Sequence, residues 1–216
     1  MGDVLLKMRN IDKIFPGVKA LSNVDFTLRA GEIHSLMGEN GAGKSTLIKV
    51  LTGVYHRDGG TITLNGKEIS PNNPKEAQEC GISTVYQEVN LCPNLTVAEN
   101  IFIGREPKKF GFIDWKQINK RSAELLNSLN IHIDVTKTLD HYSVAIQQMI
   151  AIARAVDVDA KILILDEPTS SLDEEETKRL FSIIRQLQKK GMGIIFISHF
   201  LEQIYELCSR ITILRN

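Results

Sequence analysis

The chain has 216 residues, enough for one substantial hydrophobic core with a smaller subdomain. Its 26 Lys and Arg balance 26 Asp and Glu, so no global positive field would hold a nucleic-acid backbone or an acidic membrane surface, and we expect no nucleic-acid partner. Three scattered cysteines exclude a disulfide framework. No apolar stretch approaches the roughly 18 residues of a membrane span, so any transmembrane role must come from a partner.

The first third of the chain predicts short strands and one helix. Strand-like runs lie at residues 5–8, 24–28, 33–37 and 61–64, and this front segment reads as mixed sheet. A glycine-rich stretch follows the third run, and the pattern after it predicts a helix over residues 44–51, which Gly53 ends. The stretch from Pro71 to Pro74 predicts a loop.

The remainder predicts buried strands and an inserted helical region. Continuous apolar runs at 82–85, 162–165, 193–197 and 211–214 are typical of parallel strands buried on both faces. Between about 88 and 158 the periodicity becomes helical, at 97–103, 115–129 and 144–156. Residues 174–190 predict an amphipathic helix that covers the sheet.

One motif carries strong chemical information. The pattern G-x-x-x-x-G-K-[ST] occurs directly after a strand and at the start of a helix, which is the context that a phosphate-binding loop requires. The glycines let backbone N–H groups surround phosphate oxygens, Lys44 reaches the β and γ phosphates, and the Ser45 hydroxyl can bind Mg²⁺. The predicted ATP-binding residues of this loop are Gly38, Glu39, Asn40, Gly41, Ala42, Gly43, Lys44, Ser45 and Thr46.

Two carboxylates end the apolar run at 162–165. Asp166 would lie on the magnesium side of the phosphate loop, and Glu167 would orient and polarise the water that attacks the γ phosphate. The two motifs together predict an ATP-binding and ATP-hydrolysing domain that uses ATP and Mg²⁺.

These residues resemble the nucleotide-binding domain of ATP-binding-cassette proteins over almost the full chain. The resemblance implies an α/β fold, a P-loop NTPase core with mixed sheet, an antiparallel β subdomain and a helical subdomain at about 88–158. It implies that Gln87 senses magnesium and the coupling interface, that His199 contacts the γ phosphate, and that Phe15 stacks on adenine. It further implies a loop through which two such domains communicate, formed by Ser171, Leu172 and Asp173.

The family's signature motif departs from its usual form. The family has Leu-Ser-Gly-Gly-Gln at the start of a helix, and this chain has at that place Ser143, Val144, Ala145, Ile146 and Gln147, after Tyr142. Both glycines are missing, so Val144 and Ala145 would hinder close approach to the nucleotide of the opposite domain, while Ser143 and the helix N-terminus remain. The alternative is a helix start that Ser143 only caps.

The altered signature motif and the phosphate-loop region resemble those of the first cassette in fused two-cassette monosaccharide importers, including the galactofuranose type. We therefore expect residues 1–216 to be one cassette, and a piece of a longer protein. The implied partners are a second cassette, transmembrane permease subunits and, indirectly, an extracytoplasmic sugar-binding protein. The implied location is peripheral, on the cytoplasmic face of the inner or plasma membrane. The permease would contact residues 87–101, and the sequence does not identify the sugar.

Two other functions stay open at this point. One is a cassette ATPase that acts on nucleic acid or the ribosome, although the balanced charge and the lack of basic linkers argue against it. The other is a regulator that binds ATP without hydrolysing it, which the altered signature favours and Glu167 opposes.

Overall fold

The computed structural model describes residues 2–86 and 91–215, and the chain divides into two compact units. The first unit comprises Met1–Thr84, Ala160–Glu167 and Leu187–Asn216, and the second comprises Val85–Asp159 and Pro168–Gln186. Within the described ranges, no helix has the length and apolar character that crossing a bilayer needs.

The secondary structure follows the predicted alternation of strands and helices. The strands are β1 (Val4–Phe15), β2 (Val18–Arg29), β3 (Ile33–Gly38), β4 (Gly59–Leu64), β5 (Lys67–Glu68), β6 (Ile82–Val85), β7 (Lys108–Lys109), β8 (Phe112–Ile113), β9 (Ile162–Asp166), β10 (Gly193–Ile197) and β11 (Arg210–Leu214). The helices are α1 (Lys44–Leu51), α2 (Pro74–Glu79), α3 (Val97–Phe102), α4 (Trp115–Ser128), α5 (Val144–Asp157), α6 (Glu174–Lys189) and α7 (Leu201–Leu207), and a 3-10 turn covers Leu139–His141.

A five-stranded sheet in the order β11-β3-β10-β9-β6 forms the centre of the first unit. β3 pairs in parallel with both β10 and β11, and β10 pairs in parallel with β9. The strand β10 is buried along its whole length, as are the four apolar residues of β9. The continuous apolar runs in the sequence reflect this burial on both faces.

The front strands separate into two sheets. β1, β2, β4 and β5 form an antiparallel sheet in the order β2-β1-β4-β5, while β3 joins the parallel sheet. β1 and β2 are much longer than their predicted runs, because the register between them shifts at irregular positions and pairing resumes beyond. Asn10 and Asn23 both have φ of 52°, a left-handed conformation that asparagine tolerates at such irregularities.

The helix α1 begins at the predicted residue and anchors the end of the glycine-rich stretch. It buries Leu47, Ile48, Val50 and Leu51 in the core that the two sheets share, each contributing about 1.5–3 kcal/mol of transfer free energy. The prediction of a loop from Pro71 to Pro74 is wrong at its end, because Pro74 is the first residue of α2. Asn73 caps this helix by accepting a hydrogen bond from the Glu76 N–H, and proline at the first helical position needs no N–H partner.

A buried polar cluster joins β2, β3 and β11. His34 is 1% exposed, with Nδ1 3.1 Å from the Thr27 carbonyl oxygen and Nε2 2.8 Å from the Thr212 hydroxyl. The Arg210 guanidinium donates to the Thr27 carbonyl and forms an ion pair of 3.0 Å with Glu32. The cluster therefore links three strands through buried polar groups that hydrogen-bond to one another.

The second unit is mainly helical. A capping box between Thr96 and Glu99 starts α3, and the buried side chain of Asn100 bonds to the backbone of Cys92 and Leu95. Asp157, near the end of α5, pairs with Arg105 at 2.6 Å and Arg121 at 3.1 Å. A short antiparallel hairpin of β7 and β8 precedes α4.

Candidate active site

The predicted phosphate loop lies between β3 and α1, where backbone geometry requires glycine. Gly38 and Gly43 have φ of 149° and 94°, in the range that favours glycine. A Cβ on Gly38 would lie 2.6 Å from the Leu214 carbonyl oxygen, and one on Gly43 would lie 2.7 Å from the Ala20 carbonyl oxygen. The loop is thus packed between β11 and β2, and only glycine fits at these two positions.

The Lys44 side chain folds back onto the phosphate loop. Its Nζ donates hydrogen bonds to the carbonyl oxygens of Gly38, at 2.7 Å, and Glu39, at 3.0 Å. Across residues 2–86 and 91–215 no carboxylate forms an ion pair with this ammonium group. The charge of Lys44 is therefore satisfied by dipoles and available to an anion, and the next residue, Ser45, is exposed.

Asp166 and Glu167 lie at the end of β9. Burial raises the pKa of Asp166, and the adjacent Glu167 carboxylate adds to this effect, while Lys44 and Lys49 oppose it. Glu167 has φ of 50° and donates its N–H to the Ile197 carbonyl oxygen at 2.9 Å. The left-handed backbone turns the chain sharply where β9 ends.

His199 contacts Glu167 directly. Nδ1 of His199 lies 2.9 Å from Oε2 of Glu167, and the side chains are 64% and 19% exposed respectively. The Phe200 ring packs against the imidazole, with the ring centroids 4.0 Å apart. The structure thus brings together two of the residues predicted to be catalytic, in the unit that also contains the phosphate loop.

Phe15 ends β1 and pairs with Val18 of β2, two residues before the Ala20 carbonyl that Gly43 approaches. The Phe15 ring makes an edge contact with Tyr55, with centroids 5.2 Å apart, and Lys13 Nζ lies 5.4 Å from its centroid. Sequence reasoning missed Tyr55 as a supporting residue. Its only signal was a position soon after Gly53, which ends the phosphate-loop helix.

The altered signature starts α5 in the second unit. Ser143 caps the helix by accepting from the Ile146 N–H at 3.4 Å, and its Oγ lies 3.5 Å from a carboxylate oxygen of Glu176. Val144 is 47% exposed and Ala145 is buried. The Gln147 side chain donates to the Tyr142 carbonyl at 3.0 Å, so it stabilises the turn that leads into the helix.

The predicted communication loop precedes α6 in the same unit. Asp173 accepts from the Glu176 N–H at 2.8 Å, and Glu176 accepts from the Asp173 N–H at 3.2 Å. Ser171 is exposed, and the Leu172 N–H donates to the Thr169 carbonyl. Glu176, which sequence reasoning also missed, therefore contacts both Ser143 and Asp173. Gln87 lies outside the described residues.

Comparison with known proteins gives consistent results. Residues 21–170 match the family described as ABC transporter. The chain is 58% identical over 212 residues to the galactofuranose transporter ATP-binding protein YtfR of Escherichia coli, covering 98% of this chain and 42% of that protein. It is 51% identical over 215 residues to the galactose/methyl galactoside import ATP-binding protein MglA of Sodalis glossinidius, covering 100% of this chain and 42% of that protein. The chain thus spans less than half the length of these curated relatives.

Solved structures agree on the fold. A nucleotide-free ATP-binding cassette from an ABC transporter superposes with a TM-score of 0.87 at 25% identity, covering 98% of this chain and 88% of that one. A dimeric bacterial ABC transporter cassette superposes with a TM-score of 0.80 at 25% identity, covering 97% and 94%. The predicted α/β fold, with an antiparallel β subdomain and a helical part, is confirmed.

Proposed function

The chain belongs to the ABC transporter family, and we propose that it binds ATP with Mg²⁺, hydrolyses it, and thereby powers import of a monosaccharide through a membrane permease. The observation that carries this proposal is the contact between Glu167 and His199 in the unit that holds the phosphate loop.

Nucleotide binding is the step that the phosphate loop supports. Among the described residues, the hydrogen-bond partners of Lys44 Nζ are the carbonyl oxygens of Gly38 and Glu39, so it can exchange them for β and γ phosphate oxygens without breaking an ion pair to any of these residues. Backbone N–H groups from Gly38 to Thr46 complete the phosphate cradle. Phe15, supported by Tyr55, offers an aromatic face for adenine.

The donor set near the loop fits Mg²⁺. The Ser45 hydroxyl and the Asp166 carboxylate are hard oxygen ligands, and Gln87 is a third proposed ligand. Mg²⁺ usually keeps several waters and is bound through one or two carboxylates together with the phosphates of the nucleotide. Mg²⁺ bound there would neutralise charge on the phosphates.

Glu167 is the proposed general base. Its carboxylate accepts the proton of the attacking water. His199 fixes the orientation of that carboxylate through Nδ1 and contacts the γ phosphate with the rest of its ring. Both side chains retain solvent exposure, so water can reach them.

A second cassette completes each site in this proposal. Ser143 and the N-terminus of α5 would contact the γ phosphate that the opposite cassette holds, while Ser171, Leu172 and Asp173 would relay the state of one site to the other. The exposed Val144 side chain narrows the approach to this helix end. If the second cassette has a different signature motif, the two ATP sites of the pair would therefore differ in activity.

The transport role is supported by the relatives, each of which is described as a transporter or import ATP-binding protein. We propose that residues 1–216 form one cassette of a longer protein, with a helical subdomain at about 88–158. It would lie peripherally on the cytoplasmic face of the membrane and contact permease subunits through residues 87–101, with an extracytoplasmic sugar-binding protein supplying the sugar.

The decisive measurement is the ATP hydrolysis rate as a function of chain concentration. Specific activity should rise with concentration, because two copies form the composite sites. Glu167→Gln should bind Mg-ATP with unchanged affinity and lose turnover by about a hundredfold or more. Binding without hydrolysis at every concentration would reject autonomous ATPase activity and would mean that the catalytic signature comes from a second, different cassette.

Transport can be tested by a chimaera. The corresponding part of Escherichia coli YtfR is replaced by this chain, and uptake of galactofuranose is measured in cells that lack their own YtfR. Uptake should return with the chimaera and stay absent with its Glu167→Gln form. An inactive chimaera that is stably produced and hydrolyses ATP would contradict the transport role for this substrate.

A further inference from the structure

Three large aromatic side chains are exposed within a stretch of six residues in the second unit. Phe110 is 92% exposed, Phe112 is 80% exposed and Trp115 is 49% exposed. Together with Lys108, Lys109 and Lys116 we call them the aromatic hairpin. Exposing so much apolar surface to water is unfavourable, and such patches commonly mark a binding surface.

The geometry of the aromatic hairpin places rings and ammonium groups side by side. Lys109 and Phe112 are directly opposite in the β7–β8 pair, so their side chains share a face. Lys109 Nζ also lies 5.9 Å from the centroid of the Phe110 ring, at the turn. At the base of the hairpin the Asp114 N–H donates to the Pro107 carbonyl at 2.9 Å. Trp115 follows as the first residue of α4.

The local charge is positive although the chain as a whole is neutral. In the described ranges none of Lys108, Lys109 and Lys116 forms an ion pair with a carboxylate. The two neighbouring acidic side chains have local partners: Glu106 accepts from the Gly104 N–H at 2.8 Å, and Asp114 accepts from the Gln117 N–H at 3.0 Å. Lys109 therefore lies beside the Phe110 ring, while Lys108 lies opposite Ile113 on the other face and is attracted by the Glu106 carboxylate.

We propose that the aromatic hairpin binds the surface of an anionic lipid bilayer, with Phe110, Phe112 and Trp115 at the level of the headgroups and the lysines against lipid phosphates. Phenylalanine and tryptophan flanked by lysine are typical of segments that lie in a membrane interface. Lysine is depleted from protein–protein interfaces. A hairpin with strands of two residues also offers far less than the roughly 800 Å² per partner of a stable protein complex.

This proposal does not depend on ATP hydrolysis. The lipid contact would keep the cassette at the membrane beside its permease in every nucleotide state. It is tested without nucleotide, so its failure leaves the proposed ATPase activity untouched.

The sequence supplies an internal probe, because Trp115 is the only tryptophan of the chain. The chain is mixed with vesicles of phosphatidylcholine alone, or with vesicles in which a third of the lipid is phosphatidylglycerol, and tryptophan emission and co-sedimentation are recorded. With the anionic vesicles we expect emission to move to shorter wavelength and the chain to sediment. Both effects should weaken at high salt.

Two variants and one matched control localise the contact. Lys108→Gln/Lys109→Gln should weaken partition into anionic vesicles by on the order of thirtyfold, since each lysine near the surface contributes about 1 kcal/mol. Phe110→Ser/Phe112→Ser should abolish the emission shift while leaving weak, salt-sensitive sedimentation. Lys189→Gln/Lys190→Gln removes two adjacent exposed lysines outside the hairpin and should leave partition unchanged.

Several results would overturn the proposal. Unchanged Trp115 emission and no sedimentation with anionic vesicles would reject lipid binding. Equal losses of vesicle partition in the hairpin lysine variant and in the Lys189/Lys190 control would show nonspecific electrostatic attraction and no localised binding site. An emission shift that needs purified permease and is absent with vesicles would assign the aromatic hairpin to a protein partner instead. Unchanged circular dichroism and nucleotide affinity in each variant verify that it is folded.

Discussion

His199 and Glu167 meet at the ends of two adjacent parallel strands, with Nδ1 and Oε2 2.9 Å apart. The carboxylate of Glu167 can only accept, so Nδ1 of His199 carries a proton in this contact. The hydrogen bond restrains both the imidazole ring and the orientation of the Glu167 carboxylate. It joins two residues that are 32 positions apart in the chain.

Replacing His199 by Ala should lower turnover more than binding. Loss of the hydrogen bond frees the Glu167 carboxylate to rotate, and loss of the ring removes a γ-phosphate contact. We expect kcat to fall on the order of a hundredfold, with the Kd for Mg-ATP changed by less than about threefold. Steady-state kinetics and calorimetry on the same preparation give both values. A large rise in Kd with unchanged kcat would make His199 a binding residue only.

Replacing Lys44 by Ala should remove tight Mg-ATP binding with little effect on stability. Hydrogen bonds to charged groups contribute about 1.5–3 kcal/mol, so the Kd should rise about 10-fold to 150-fold. Lys67→Ala, an exposed lysine on β5, is the matched control and should bind normally. Nucleotide titration by calorimetry measures the difference. An unchanged Kd in Lys44→Ala would remove the loop from the site.

Asp166→Asn should stabilise the free chain at neutral pH. Burial and the Glu167 carboxylate raise the pKa of Asp166 above its unfolded value of 3.8, so its ionisation costs folding free energy once the pH exceeds that value. The side chain of the variant does not ionise, so this cost is absent. Its Tm should exceed the parent's at pH 7, by about 2–4 °C for each 1 kcal/mol of added unfolding free energy. The difference should vanish towards about pH 4. A lower Tm for Asp166→Asn at pH 7 would contradict this account.

His34 should make the chain sensitive to acid. Burial, with the nearby Arg210 charge, lowers the pKa of His34 to about 4, whereas the unfolded imidazole binds a proton near 6.5. The folded state has its full stability above the pKa of the unfolded imidazole. As the pH falls towards the folded-state pKa, the free energy of unfolding decreases by on the order of 3 kcal/mol in total. Urea unfolding between pH 7.5 and 4.5 measures the slope, which should be flatter in His34→Gln. Equal slopes in the two proteins would exclude His34 as the cause.

The phosphate loop and the buried strands could be predicted because their signals are local. The glycine positions have φ angles that the sequence pattern encodes, and the buried strands read as continuous apolar runs. The predicted helix at 144–156 likewise ends within one residue of α5. Where a single side-chain pattern determines the element, sequence and structure agree closely.

What could not be predicted depends on packing or on weak signals. The helix α2 buries only Ala77, so it has no apolar periodicity, and the sequence at its Asn-Pro start predicts a loop. The contact of Glu176 with Ser143 joins residues 33 positions apart. The aromatic hairpin turns at Phe110-Gly111, with φ of 51° and 85°, and a phenylalanine at such a position gives no recognisable turn signal.

The pairing of β3 bears on how the protein is made. This strand leads into the phosphate loop, yet both of its neighbours, β10 and β11, come from the far end of the chain. During synthesis, β3 therefore has neither of its sheet neighbours until Gly193–Ile197 has left the ribosome. The nascent chain should depend on chaperones over this interval, and its ability to hold nucleotide should arise abruptly and late.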